Sequence, residues 1–399
     1  MEFRTIVNRT IHAVGQGAFY TEEVFSGFIG GGFEHCRVVY DCGRGTNSPD
    51  KNNCVLDREV EGAFQEGEKI DAVFISHFHA DHINGLKTLL THYKVERVYL
   101  PILAPMAKTL LLLDCEQESI RDYILNPTKS IHRISPKTKV IGVREMGSHE
   151  EPSEPVTIED TSEPVVIEGT AYDAAIPSGT QITPAKKYTV WGYIPYNLYQ
   201  EENLVKLQKE FGSTDLPEPH SLNQWGNLVE MKRIYQKLFH GKEVNANSLA
   251  VYSGRIHSDF WNNLKAEKIM LGIRHILSDQ CCGCLYLGDY KLDANGLEEL
   301  EKSYQDYLDV IRIIQLPHHG SKDNFNKAIF EVFPQCRFFF CSAGSDNTYG
   351  HPDDGVLLQC IRNGKTVHWI SEKKESELVL DFRLEERIIP EKKEESNHP

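Results

Sequence analysis

The chain has 399 residues, 40% hydrophobic and 25% charged, and 43 Lys+Arg against 58 Asp+Glu give a formal net charge of −15. That is an ordinary globular composition, so a wholly disordered, collagen-like or coiled-coil chain is excluded, and so acidic a balance argues against non-specific wrapping of DNA, where lysine and arginine must replace condensed counterions. The longest uncharged apolar run, Val98 to Ala107, is ten residues with two prolines, short of the ~18 of a spanning helix, and the Met-Glu-Phe-Arg-Thr start lacks a signal-peptide layout; a cytoplasmic protein without membrane contact is expected.

In chain order, residues 5–14 read as a strand stopped by Gly15-Gln16-Gly17, two glycines that read as a tight turn. Arg37-Val38-Val39-Tyr40 is a short β-branched strand delivering Asp41 into a loop rich in Gly, Asn and Pro. The nearly continuous apolar run Ile70 to Ser76 marks a strand buried on both faces, ending at His77. Asn84 to Tyr93 carries Leu86, Leu89, Leu90 and Tyr93 at helical spacing, and Val95 to Leu100 is the next strand. Residues 106–125, 202–211, 223–239 and 259–277 read as helices, the third interleaving Trp225 and Tyr235 with Lys232, Arg233 and Lys237.

An imperfect repeat, 153–159 and 162–168, lies in a window (150–169) of seven acidic and no basic residues, expected as an acidic loop or hairpin. Strands return at 248–252, 284–288, 310–316 and 336–341. The last three lead to Asp289, to Pro317-His318-His319-Gly320-Ser321, and to the loop ending Tyr349-Gly350-His351-Pro352. The charged tail 386–399 is expected to fray. Ten cysteines are too few for a disulfide scaffold, and Cys281-Cys282-Gly283-Cys284 has no second pair at zinc-finger spacing, so free structural thiols in a reducing compartment are expected.

The strongest chemical signal is Ser76-His77-Phe78-His79-Ala80-Asp81-His82. Three histidines and an aspartate at the carboxyl end of a buried strand offer the imidazole and carboxylate donors that suit Zn²⁺, Mn²⁺ or Fe without a thiolate. This segment resembles the metallo-β-lactamase fold, whose H-x-H-x-D-H signature it matches without a gap. Asp41 matches the family's early aspartate that supports the ligands, Asp289 its metal-bridging aspartate, and His318 or His319 its late histidine. Within the superfamily, Val14-Gly15-Gln16-Gly17, Asn247-Ser248-Leu249, Leu287-Gly288-Asp289, Pro317 to Ser321 and Tyr349 to Pro352 are similar, in order, to the blocks of the ComEC-type domain of DNA-uptake proteins.

The resemblance implies an α+β architecture, an αβ/βα sandwich with a large insertion. The catalytic domain would comprise residues 1–100 and 245–385, and 101–244 would be a lid, specificity wall or docking module for a regulatory protein. It implies two divalent ions, Zn²⁺ first and Mn²⁺ as the alternative. His77 and His79 would hold one, Asp81, His82 and a histidine of the 318–319 pair the other, with Asp289 bridging and Asp41 fixing a ligand's tautomer. His351 is a candidate general acid or a contact to the scissile phosphate, and Ser321, Lys322, Asn347 and Tyr349 are candidates for binding phosphate oxygens.

The implied activity is metal-dependent hydrolysis of a phosphodiester in nucleic acid or a nucleotide ester by a metal-activated water. The alternatives are hydrolysis of a small thioester or lactone, and a regulated effector whose insertion docks another protein. Two departures stand out. The superfamily supplies a further histidine to the first metal after the strand that follows the signature helix, whereas here Val95 to Leu100 runs into Pro101-Ile102-Leu103-Ala104-Pro105; His132, His149, His220 and His240 are the insertion's candidates to replace it. The ComEC-type proteins also carry membrane segments, so DNA import is not implied.

Overall fold

The computed structural model describes residues 2–45, 54–115, 117–147, 156–157, 165–167, 170–184, 190–199, 247–256, 266–269 and 283–387, with a few isolated positions besides. Period-two burial builds the first sheet: in Glu2–Ile11, Phe3, Thr5, Val7, Arg9 and Ile11 face inward while the residues between them are half-buried. Its described strands, in spatial order, are Ala174–Ile176, Lys139–Val143, Arg97–Pro101, Ala72–Phe74, Phe33–Arg44, Gly17–Phe28, Glu2–Ile11, Leu378–Arg387 and Ala266–Ile269. The second sheet runs Thr366–Ile370, Phe338–Ser342, Ile311–Gln315, Gly283–Tyr286, Asn247–Arg255, Trp191–Tyr199, Ile182–Thr183 and Val156–Thr157.

Three layers of core give the expected αβ/βα order. Between the sheets lie Phe3, Val7 and Tyr20 from the first with Trp191, Val251 and Phe340 from the second. Outside the first sheet, Leu56, Leu86, Leu89 and Leu110 come from helices Cys54–Glu61, Leu86–His92 and Pro105–Asp114. Outside the second, Leu297, Ile329 and Val356 come from Ala294–Ser303, Ile329–Val332 and Asp354–Arg362. The stretch 70–76 is buried throughout, as its apolar run requires.

A buried charge pair stands between the sheets. Arg9 Nε donates to Glu22 Oε1 at 2.6 Å. The same carboxylate accepts from Tyr286 Oη (2.7 Å), Ser253 Oγ (2.6 Å) and Tyr193 Oη (3.1 Å). Every lone pair the desolvated anion presents is thus met, and those donors hold Glu22 below the usual carboxylate range against the opposing effect of burial.

Strand direction places the loops. Gly283–Tyr286, Ile311–Gln315, Phe338–Ser342 and Thr366–Ile370 are mutually parallel, so the segments carrying Asp289, His318 and His351 leave from one edge. Ala72–Phe74 is parallel to Phe33–Arg44 and to Arg97–Pro101. The chain beyond it meets that edge because Leu249 N donates to Ser76 O at 2.7 Å.

The helix expected over 259–277 is not what its described part forms: Ala266–Ile269 is a strand, antiparallel to Leu378–Arg387. The open N–H and C=O groups of a sheet edge outweigh local propensity there. The boundary expected at residue 101 falls within Arg97–Pro101. Beyond it, Lys139–Val143 and Ala174–Ile176 widen the first sheet, and Trp191–Tyr199 pairs along its length with Asn247–Arg255.

The helices expected at 202–211 and 223–239 lie outside the described residues except for isolated helical positions, and the acidic repeat except for Val156–Thr157 and Val165–Ile167, both strands. Cys281, Cys282 and the last residues of the tail are also outside; Cys284 is a free, buried thiol. Among the described residues no helix is long and apolar enough to cross a membrane.

Candidate metal centre

Asp41 is set by a bulge. Phe19 pairs with Cys42 and Tyr20 with Tyr40, leaving Asp41 as the extra residue, with φ at +55°. Its fully buried carboxylate accepts from Ser76 N (2.6 Å), Ser76 Oγ (2.7 Å) and His82 Nδ1 (2.8 Å). Gly43, two residues on, lets the signature segment lie against this strand: a Cβ there would stand 2.4 Å from Asp81 C and His82 N.

These contacts fix tautomers. The one hydroxyl proton of Ser76 goes to Asp41, so Ser76 Oγ accepts from His77 Nδ1 at 2.9 Å. His82 Nδ1 donates to Asp41, and His319 Nδ1 donates to Ser342 O at 2.7 Å. In His77, His82 and His319 the Nδ1 carries the proton of the neutral ring, which leaves Nε2 as the ligating atom. His77 Nε2 is buried without a hydrogen-bond partner.

The Nε2 atoms face carboxylates. Asp289 Oδ2 lies 3.6 Å from His77 Nε2, and Oδ1 lies 3.1 Å from His82 Nε2 and 4.0 Å from His319 Nε2. His319 Nε2 meets Asp81 Oδ2 at 3.0 Å. Two donor sets result, His77–His79–Asp289 and Asp81–His82–His319, the ligand atoms of each within 4.8 Å of one another. They fit a pair of divalent ions: nitrogen and oxygen donors, buried except for half-buried Asp81, with His77, His82 and His319 pre-oriented and Asp289 beside both sets.

The electrostatics agree. Burial pushes His77 well below the usual imidazole range, helped by His82. His82 is held well above it, because Asp289, Asp81 and Asp41 outweigh burial. Asp289 is held well below the carboxylate range by His318, His82 and His77 against burial. Protons thus occupy positions suited to a cation, and loading a metal releases them.

Residues 22–171 match the family model of the Metallo-beta-lactamase superfamily, a span that holds Asp41 and the whole signature. This stretch of the chain carries a metallo-β-lactamase superfamily domain. Its α+β sandwich is that fold, and the fold implies divalent metal binding. No curated protein matches the chain. Among solved structures, a long form RNase Z from yeast is similar at 9% identity and a TM-score of 0.36, covering 94% of this chain and 41% of its own. A UDP-N-acetylmuramoyl-L-alanyl-D-glutamate–2,6-diaminopimelate ligase has 10% identity and a TM-score of 0.15, covering 80% and 54%. Likeness this slight says nothing of activity, and this chain spans under half of the RNase Z.

The remaining expected residues divide. His351 lies beside the candidate centre, its ring 5.4 Å from that of His318 and 6.3 Å from that of His319. Burial and those two imidazoles push it down to about 4, the direction that favours an uncharged, hydrogen-bonding ring. Tyr349 is half exposed and stacks on His351 at 5.9 Å. Asn347 spends its whole amide on the turn: Oδ1 accepts from Tyr349 N and His351 N, and Nδ2 donates to Gly344 O and His351 O. It shapes the loop instead of reaching phosphate.

Ser321 is buried, and its hydroxyl accepts from Asp323 N. Exposed Lys322 lines a 380 Å³ cavity with Lys327, Asp293, Asp323 and Asp353. Of the insertion histidines, His132 is committed elsewhere, to Thr138 O and Asp173; His149, His220 and His240 lie outside the described residues. Sequence reasoning missed the orienting residues Ser76, Asn324 and Ser342. Only Ser76, adjacent to the signature, carried any signal.

A separate group, His12, Glu59 and Glu377, is bound up with a lysine. Lys374 Nζ reaches Glu59 Oε2 at 2.8 Å and Glu377 Oε2 at 2.6 Å. His12 and Lys374 hold the Glu59 carboxyl down at about 2, from an ordinary 4.5. A lowered folded-state value stabilises above the unfolded one and is lost as pH falls. Glu59→Gln is expected to lower stability at pH 7 by about 1–3 kcal/mol, a deficit that shrinks as pH drops from 4.5 towards 2. Urea unfolding of both proteins across that window measures it.

Proposed function

We propose that this chain is a metal-dependent phosphodiesterase acting on nucleic acid or a nucleotide ester. What carries the reading is the pair of largely buried donor sets meeting at Asp289, with His77, His82 and His319 locked so that Nε2 faces inward. His77, His79 and Asp289 would hold one ion, Asp81, His82, His319 and Asp289 the other, and Zn²⁺ or Mn²⁺ suits such nitrogen and oxygen donors. When bound, such a pair supplies a nucleophilic water at neutral pH and offsets the charge gathering on the phosphoryl group.

The chain's own residues do the rest. Asp41 and Ser76 act as positioning residues, holding His77 and His82 in one tautomer and orientation. The His351 ring would donate a hydrogen bond to a phosphoryl oxygen. Tyr349, exposed and flat against it, would cover the adjoining part of the substrate, and Lys322 would draw phosphate towards the edge despite the net negative charge. The likeness of the Gly-Gln-Gly, Pro-His-His-Gly-Ser and Gly-His-Pro blocks to the ComEC-type domain favours phosphodiesters over thioesters or lactones.

Metal-free protein resupplied with Zn²⁺ or Mn²⁺ is expected to turn over bis(p-nitrophenyl) phosphate, and His79→Ala to lose at least ~10²-fold of that activity. Absence of turnover with both metals, or an undiminished His79→Ala, counts against the proposal.

A further inference from the structure

The first donor set lacks the histidine that the superfamily supplies after the strand Arg97–Pro101, and of the insertion histidines the described one, His132, is held by Thr138 and Asp173. The turn Pro317–Ser321 offers another. His318 and His319 both adopt left-handed backbone, φ +48° and +56°, ahead of Gly320 at +80°. Among the described residues the only other non-glycine with positive φ is Asp41. Consecutive left-handed L-residues are strained, and strain of this kind gathers where side-chain direction matters.

Here the turn splays the two rings. Their planes lie 71° apart with centroids separated by 5.9 Å. His319 Nε2 goes to Asp81 Oδ2 at 3.0 Å. His318 Nε2 goes the other way, to 3.7 Å from Asp289 Oδ2, the oxygen that His77 Nε2 also approaches. Asp289 therefore has His77 and His318 on one oxygen, His82 and His319 on the other.

The His318 ring is also pre-set. Asn324 Nδ2 donates to Asp289 O at 3.0 Å, which fixes Asn324 Oδ1 as an acceptor, and that oxygen lies 3.0 Å from His318 Nδ1. His318 Nδ1 must carry the proton, leaving the Nε2 lone pair towards Asp289. Its side chain is 24% exposed against 2% for His319, so His318 stands at the solvent edge of the set.

We propose that His318 is the missing ligand of the first metal, so that the adjacent histidines serve one ion each. This rests on the metal-centre reading above. The test is Zn²⁺ uptake by equilibrium dialysis and chelator competition, with no turnover assay. Wild type should bind two ions. His318→Gly should keep one and bind the other at least ~10-fold more weakly, whereas His132→Ala and His351→Ala should match wild type. Glycine accepts φ +48° without strain, so this variant is expected to fold. His318→Asn, which tolerates the same backbone, is a second variant without the imidazole, and thermal unfolding checks both. Two ions bound by His318→Gly with wild-type affinity, or a loss on His132→Ala, overturns the assignment while leaving the metal centre standing. Wild-type protein that takes up no Zn²⁺ overturns both.

Discussion

Asp289→Ala is expected to lower metal-dependent phosphodiester hydrolysis by about 10³-fold or more and to reduce the number of tightly bound ions. Its carboxylate is buried and stands between the two imidazole groups, within 3.1–4.0 Å of His77, His82, His318 and His319. Among the described residues, no other carboxylate lies within 4.0 Å of imidazoles from both donor sets. Stabilisation of transition-state charge by a bound metal is worth several kcal/mol, about a decade of rate per 1.4 kcal/mol. Asp289→Asn keeps the shape and removes the charge, so its loss should be smaller.

The metal-free protein gives an independent readout. Asp289 is the first of the carboxylates holding His82 above its ordinary value, so imidazole titration by NMR should show His82 shifting down in either variant. Full activity with two ions bound in Asp289→Ala would reject the bridging role, and an unmoved His82 would reject the electrostatic account.

The second large effect is on stability. Arg9→Ala is expected to cost about 3–5 kcal/mol, the penalty for leaving one partner of a buried pair alone. Arg9 is fully buried between the sheets, its side chain against Glu22 at 2.6 Å and over the rings of Trp191, Tyr286 and Phe382 at 5.4–6.0 Å. Without it the Glu22 carboxylate must stay charged in the sandwich core or take up a proton, so the variant's deficit should narrow at low pH. Replacing both residues with apolar ones of similar size, Arg9→Met with Glu22→Leu, should recover much of the loss, because no unpaired charge remains. Urea unfolding of the two variants decides it: a single variant within 1 kcal/mol of wild type would show the pair to be dispensable.

Much of this was written locally. The run Ile70 to Ser76 announced a doubly buried strand and His77–His82 announced a metal ligand cluster, since strand burial and ligand spacing are properties of a few adjacent residues. Asp289 and the His318-His319 pair were legible as polar residues at strand ends, because parallel strands carry their chemistry at the carboxyl edge. The 259–277 stretch misled for the converse reason. Its apolar spacing favours a helix, but the described Ala266–Ile269 meets the open edge of Leu378–Arg387, a partner more than a hundred residues away that no local pattern contains.

The sequence by itself determined the sandwich, the signature and the candidate metal ligands. Only the tertiary structure decided how they are shared out. That His319 faces Asp81 and His318 faces Asp289 follows from two left-handed residues in one turn. That Asn347 closes its own loop, and that His351 is pushed towards the uncharged form, follows from contacts and burial. Asp41 reaches His82 through a bulge in a ladder with a neighbouring strand. Each depends on where groups distant in the chain lie in space, and direction in space is what residue order leaves open.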